Sequence, residues 1–278
     1  MPAECASGCM RVTMGTQDFF AGLWNNYVEV APQAARIHQV FTARDERIVN
    51  DHVAFRTYDR YPLNIATLEP LILALGYRRH EPYEFADKGL SAWSYLPADP
   101  GDPRIFLSEL RVDTLSLRAR NIITGLAEQV DVATVNSSDV FRAGRLWTTP
   151  TWDAYQTLLS ESEYAAWVSV MGLRPNHFTI SVNALRHSPD LHDVVQILKA
   201  HGFPINASGG EIKGSPETLL EQASTLADRM MIEFADGDYH EVPTCYYEFA
   251  LRYRDTDGQL YQGFVAASAN RLFDSTRA

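Results

Sequence analysis

Two histidines and one glutamate, far apart along the chain, have the types and settings to hold a metal ion: His52, His177 and Glu248. His52 and His177 each open an apolar alternating run, HVAFRTY and HFTISVNAL, directly after a short polar side chain, Asp51 or Asn176. Glu248 stands in the middle of a third strand-like run, Tyr246 to Tyr253. A lone histidine is ordinarily a hydrogen-bonded or surface imidazole. His38, His80, His187, His192, His201 and His240 fit that description, because none has a symmetric partner in the sequence. Two imidazoles and one carboxylate on one side of an ion leave positions open for substrate and dioxygen, the arrangement of non-haem iron(II) oxygenases; zinc accepts the same donors. The expected cofactor is Fe(2+).

Arg56 belongs to the same constellation. Strand side chains repeat every second residue, so His52, Ala54 and Arg56 share one face, with about 13 Å between the ends at roughly 3.3 Å per residue. The small Ala54 leaves room for a bound chain between them, and a guanidinium fork suits a substrate carboxylate. Arg56 could instead pair with a buried glutamate such as Glu109. In the apolar run FLSEL, an inward-facing Glu109 must be paired or ligating. It reads as a carboxylate behind the metal ligands, holding one of them or a bound water. As a fourth ligand it would bring the site close to a glyoxalase and to isomerase or lyase chemistry without oxygen.

The elements that position these residues recur. Thr16 to Arg47 has helical spacing with a break at Pro32, which gives two amphipathic helices. HVAFRTY is then a strand, NIATLEPLILAL from Asn64 a helix, and YRRHEPYEF, LSAWSYLP and RIFLSELRV three strands, in the order β-α-β-β-β. Ser116 to Met171 is mostly helical. The pattern then returns: HFTISVNAL is a strand, LHDVVQILKAHGF a helix closed near Gly202, and Pro204 to Asn206, Met230 to Phe234 and Tyr246 to Tyr253 are short strands. Each copy begins with a histidine and carries a glutamate late, pairing His52 with Glu109 and His177 with Glu248. The expected fold is α+β, a half-barrel of paired βαβββ modules with additional N-terminal and central helices. Residues 1–15 read as a disordered N-terminus, with Met10 and Met14 as further plausible starts. Residues 16–278 read as a single catalytic domain, with modules over about 50–113 and 176–278 and a helical insert over about 114–172.

Bulk properties narrow the function. With 278 residues, 46% hydrophobic and 21% charged, the chain can bury a sizeable core without disulfides. Twenty-four basic against 35 acidic residues give a net charge of -11, which disfavours nucleic acid as a partner and means that an anionic substrate needs a local cation. Cys5, Cys9 and Cys245 form no disulfide or zinc framework and suit free thiols in a reducing cytosol. No signal peptide or membrane-length apolar stretch is present in the sequence, so the expected location is cytoplasmic, without a membrane partner.

Several stretches go beyond pattern. NDHVAFRT (50–57), NHFTISVN (176–183), EIKGSPETLLEQASTLAD (211–228), VPTCYYEFALRY (242–253) and GFVAASANRLFDST (263–276) resemble the 2-oxoadipate dioxygenase/decarboxylase family across about residues 23–276. The resemblance implies a vicinal-oxygen-chelate-like fold, iron(II), and conversion of 2-oxoadipate and O2 to 2-hydroxyglutarate and CO2, usually in lysine catabolism. By motif, the family's metal ligands fall on His52, His177 and Glu248. Its substrate-recognising arginine falls on Arg56, and its C-terminal pocket segment falls near Val265 and Ala266. His52 and His177 would then also border the substrate.

Overall fold

The structure is a computed structural model, and it describes residues 15–277. Two helices open the chain, α1 (Thr16–Val30) and α2 (Pro32–Ala43). Pro32 occupies the first turn of α2, where its missing N–H costs nothing. The first module follows as β1 (Asn50–Tyr58), α3 (Ile65–Ala74), β2 (Arg78–Phe85), β3 (Leu90–Leu96) and β4 (Arg104–Leu110). Three helices then form the insert: α4 (Leu117–Ala127), α5 (Trp152–Glu161) and α6 (Glu163–Met171).

The second module comprises β5 (Pro175–Ser181), α7 (Leu191–Ala200), β6 (Lys213–Ser215), β7 (Leu220–Ser224), a hairpin of β8 (Arg229–Glu233) and β9 (Tyr239–Pro243), and β10 (Tyr246–Arg252). Helix α8 (Ala266–Leu272) and a tight turn over Phe273–Thr276 close the described chain. None of its helices is long and apolar enough to cross a membrane.

One eight-stranded sheet, ordered β2-β3-β4-β1-β5-β10-β7-β6, unites both modules, so the expected α+β half-barrel of paired βαβββ units is what forms. Its centre is the antiparallel β1–β5 pair. On either side, the first strand of each module runs parallel to that module's last strand, β1 with β4 and β5 with β10. Alternation assigns the two faces. Phe178 and Tyr247 point to α1, where they pack with Trp24 and Tyr27. His177 and Glu248, one residue away from each, point to the other face.

The second module departs from expectation in its middle. Pro204 to Asn206 makes only an isolated bridge, Ile205 to Thr225, and Met230 to Phe234 lies largely in β8, which pairs with β9 outside the main sheet. The strands that complete the module are the short β6 and β7. Their tight approach depends on Gly214, at φ +83°, because a Cβ there would lie 2.0 Å from the Leu220 carbonyl oxygen. The β8–β9 hairpin carries strand-type residues but exposes Met231 and Tyr239, so the apolar run that suggested a core strand is an insertion edge. Residues 1–14, including Cys5, Cys9, Met10 and the bulk of the expected disordered segment, lie outside the described residues.

Helix α6 is the insert's contribution to the interior. Every residue from Tyr164 to Met171 is buried, as expected for a helix apolar on all sides. Gly172, at φ +68°, ends it against the Gly144 carbonyl, where a Cβ would approach to 2.2 Å. The buried helix sets the rings of Tyr164 and Trp167 against the Arg56 side chain of β1.

Candidate metal centre

The β1–β5 register sets Ala54 opposite His177 and His52 opposite Thr179, so the two imidazoles are diagonal neighbours on one face. In the β5–β10 pair His177 lies opposite Tyr246 and Thr179 opposite Glu248, which brings the carboxylate up beside both rings. The three residues have a ligating atom each within 4.8 Å of the others, all buried. His52 Nε2 is 3.4 Å from His177 Nε2 and 3.4 Å from Glu248 Oε1, and His177 Nε2 is 3.3 Å from Glu248 Oε2. Donors about 2.1 Å from one ion at tetrahedral or octahedral angles are about 3.0–3.4 Å apart, so the observed spacing suits a shared cation.

Polar partners behind the rings orient them. Nδ1 of His52 is 2.8 Å from Asp51 Oδ1, and Nδ1 of His177 is 3.2 Å from Asn176 Oδ1, which leaves both Nε2 atoms for the cavity. Burial lowers the pKa of both histidines, that of His177 well below the usual value, so both are neutral, the form that ligates. Burial also pushes the Glu248 carboxyl up to about 8. Gln222 Nε2 donates to Glu248 Oε1 at 2.7 Å, whereas Oε2 of Glu248 has no hydrogen-bond partner among the described residues. Three electron-pair donors turned toward one another, one of them a carboxylate with an orphaned oxygen in a dry site, are what a bound cation resolves. The residues present therefore fit a metal ion.

Arg56 lines the same cavity, together with Ala54, Phe106, Ser108, Tyr246 and Phe264. Its guanidinium is buried and sits 5.2 Å from the ring centroids of Tyr164, Trp167 and Phe273. Nη1 donates to Thr276 Oγ1 at 3.0 Å, while Nε and Nη2 have no hydrogen-bond partner among the described residues. Glu109, weighed as its ion-pair partner, is elsewhere.

The position of Glu109 corrects the expectation that it stands beside the ligands or joins them. In the parallel β1–β4 pair His52 lies opposite Arg104, just as His177 lies opposite Tyr246, so the residue matching Glu248, two positions further on, is Phe106. Glu109 is three residues beyond Phe106, and an odd offset turns a strand side chain to the other face. There it accepts the Ile65 N–H at 2.7 Å and caps the start of α3. The sequence repeat was real, but its glutamates were not equivalent.

The C-terminal segment does border the cavity, through Phe264, Ala269, Leu272 and Phe273, whereas Val265 and Ala266 are not among its lining residues. Gln222, Tyr246 and the aromatic cage around Arg56 went unnoticed in the sequence. Tyr246, whose ring stacks on His177 with centroids 4.5 Å apart, had a usable signal in its place two residues before Glu248, which puts it on the same strand face.

The family model for 2-oxoadipate dioxygenase/decarboxylase matches residues 24–272. The chain is 32% identical to the 2-oxoadipate dioxygenase/decarboxylase, chloroplastic/amyloplastic, of Oryza sativa subsp. japonica, over 94% of this chain and 80% of that protein. The solved hydroxyglutarate synthase from Oryza sativa in complex with 2-oxoadipate is similar with a TM-score of 0.87 at 31% identity, covering 93% of this chain and 90% of that one. A solved Shewanella frigidimarina NCIMB 400 protein, called a hydrolase by its name, is 44% identical with a TM-score of 0.86, covering 91% of this chain and 99% of that one. The chain belongs to the 2-oxoadipate dioxygenase/decarboxylase family.

Proposed function

We propose that this chain converts 2-oxoadipate and O2 to 2-hydroxyglutarate and CO2, with iron(II) held by His52, His177 and Glu248. The observation that carries the reading is the pairing, in one cavity, of three converging donors with a buried guanidinium whose Nε and Nη2 have no hydrogen-bond partner among the described residues. Iron(II), when bound, supplies chelation of a 2-oxo acid and the redox chemistry with O2. The protein supplies position and dryness. Arg56 receives the substrate's distal carboxylate on its free nitrogens, at a distance from the ligands set by the four-residue stretch of β1. Its aromatic cage excludes water that would compete for that carboxylate. Phe106 and Phe264 wall the space between, and Ser108 and Tyr246 also line it.

We read residues 16–278 as one catalytic unit, since both modules contribute donors. Its substrate partners are a small 2-oxo dicarboxylic acid and O2, in a lysine-breakdown route. The buried free thiol of Cys245 suits a reducing compartment such as the cytoplasm.

Two other uses of the same donors consume no oxygen: a glyoxalase-like isomerase or lyase, and a zinc hydrolase. The test loads the metal-free protein anaerobically with iron(II) and follows oxygen uptake across 2-oxo acids of increasing length. Uptake should peak at the six-carbon diacid, with one CO2 and one 2-hydroxyglutarate per O2. Turnover of the acid without oxygen uptake, or no turnover with any of the series, would refute the proposal.

A further inference from the structure

Asp51 is the buried carboxylate behind His52, and its own setting is unusual. Between Asn50 and His52 the β1–β5 register slips: those residues pair with Ile180 and Thr179, two steps on β1 against one on β5. Asp51 is thus the extra residue of a β-bulge, a device that re-aims a side chain. A regular strand would turn it to the face opposite His52. Instead its Oδ1 lies 2.8 Å from His52 Nδ1.

The carboxylate is held from behind. Arg252, fully buried on β10 and four residues beyond Glu248, donates Nε to Asp51 Oδ2 at 2.8 Å and Nη2 to Asp51 Oδ1 at 2.9 Å, a two-pronged fork. Arg252 Nη1 donates to the carbonyls of Tyr261 and Gly263 at 3.1 and 2.7 Å, and Arg104 Nη1 adds a contact to Asp51 Oδ2 at 3.3 Å. With its oxygens fixed by guanidinium N–H groups, Asp51 can only accept from the imidazole, so the proton sits on Nδ1 and the lone pair on Nε2. The Thr179 hydroxyl, 3.1 Å from Nε2, is placed to donate to that lone pair. The matching position behind His177 is weaker. Asn176 is a neutral amide at 3.2 Å whose Nδ2 has no partner.

We propose that Asp51, clamped by Arg252, is a positioning residue for the metal centre: it fixes His52 as the Nδ1–H tautomer and makes it a stronger, better aimed donor than His177. This rests on the reading of His52 as a ligand. It gives the two buried arginines among the described residues opposite tasks, with Arg252 saturated by the protein and Arg56 left open to substrate.

The test uses cobalt(II) alone as the probe, competed against a chelator, and nitrogen NMR of the histidines in the metal-free protein. Wild type should show His52 as the Nδ1–H tautomer. Asp51→Asn should weaken cobalt(II) binding about 10–100-fold and change its visible absorption. Asn176→Ala should weaken it less. The proposal is overturned by an Nε2–H tautomer at His52 in the wild-type protein, or by Asp51→Asn binding cobalt(II) as wild type does. Should Asp51→Asn not fold, the wild-type tautomer decides by itself. If wild-type protein binds no cobalt(II) through these residues, the metal reading fails instead, a separate result from either of these.

Discussion

The two βαβββ modules put one backbone plan to different uses. Each starts with a histidine on a strand that runs parallel to its module's last strand. In the second module the equivalent position of that last strand is Glu248; in the first it is Phe106, whose ring packs 5.0 Å, centroid to centroid, from Phe264. The first module therefore offers an imidazole and, four residues on, the Arg56 guanidinium, while the second offers an imidazole and a carboxylate. A fully symmetric pair would close four protein ligands around an ion. Phenylalanine at the fourth position gives an apolar wall instead, and on the proposed metal reading it would leave room at the ion for a reactant.

The sharpest way to break this comparison is to remove the carboxylate. Glu248→Gln keeps the shape and the Gln222 contact but not the charge, so the protein should retain no iron(II) through gel filtration and show no oxygen uptake. The same residue gives the metal-free protein a pH signature. Burial holds its carboxyl protonated up to about 8 in the folded state, against an ordinary 4.5. At this group the folded protein therefore binds more protons than the unfolded one between those values, and its contribution to stability falls as pH rises through that window. Between pH 5.5 and pH 8 the histidines, held neutral by burial, favour the higher pH while Glu248 opposes them, so the Tm of chelator-treated Glu248→Gln should change more in favour of pH 8 than that of the wild-type protein. The same pH dependence of Tm in metal-free Glu248→Gln and wild-type protein would contradict the buried, metal-receptive state assigned to Glu248.

Next in size is the first module's own contribution. Arg56→Met should leave iron(II) retention as in wild type while kcat/KM for 2-oxoadipate falls about 10²-fold or more, since truncating one partner of a buried charge pair costs about 2–5 kcal/mol. Monocarboxylic 2-oxo acids, which cannot use the guanidinium, should lose much less. A parallel loss of metal would mean that the two modules do not divide ion and substrate between them.

How far the sequence revealed this site follows from the same asymmetry. His52 and Arg56 are on one strand, and their shared face follows from alternation alone. His177 and Glu248 are on neighbouring strands, and their long apolar runs mark them as central. Which residue of β4 corresponds to Glu248, however, depends on the register between strands some fifty residues apart, and a local pattern carries no register. The short β6 and β7 were missed because Lys213, Glu221 and Gln222 interrupt any alternation, whereas Met230 to Phe234 has strand propensity without a place in the main sheet. The cage around Arg56 comes from α6 and the C-terminal turn, more than a hundred residues from β1, and nothing near Arg56 in sequence announces it.

The smallest expected effect belongs to Glu109, the glutamate that the repeat made look like a ligand. Its carboxylate accepts the first N–H of α3 and adds negative charge at that helix's N-terminus, although burial raises its pKa. Asn64, the residue before α3, makes no side-chain cap of its own, so Glu109 is the acceptor the helix has there. Glu109→Ala should therefore cost about 0.5–2 kcal/mol of stability, seen as a Tm lower by a few degrees, with metal affinity and kcat/KM unchanged. The helix end rather than the ion should feel the change, because Glu109 is an odd number of residues from Phe106 and faces away from the cavity. A metal affinity that dropped together with Tm would put Glu109 back among the residues that serve the ion, and would make the two modules more alike than their register indicates.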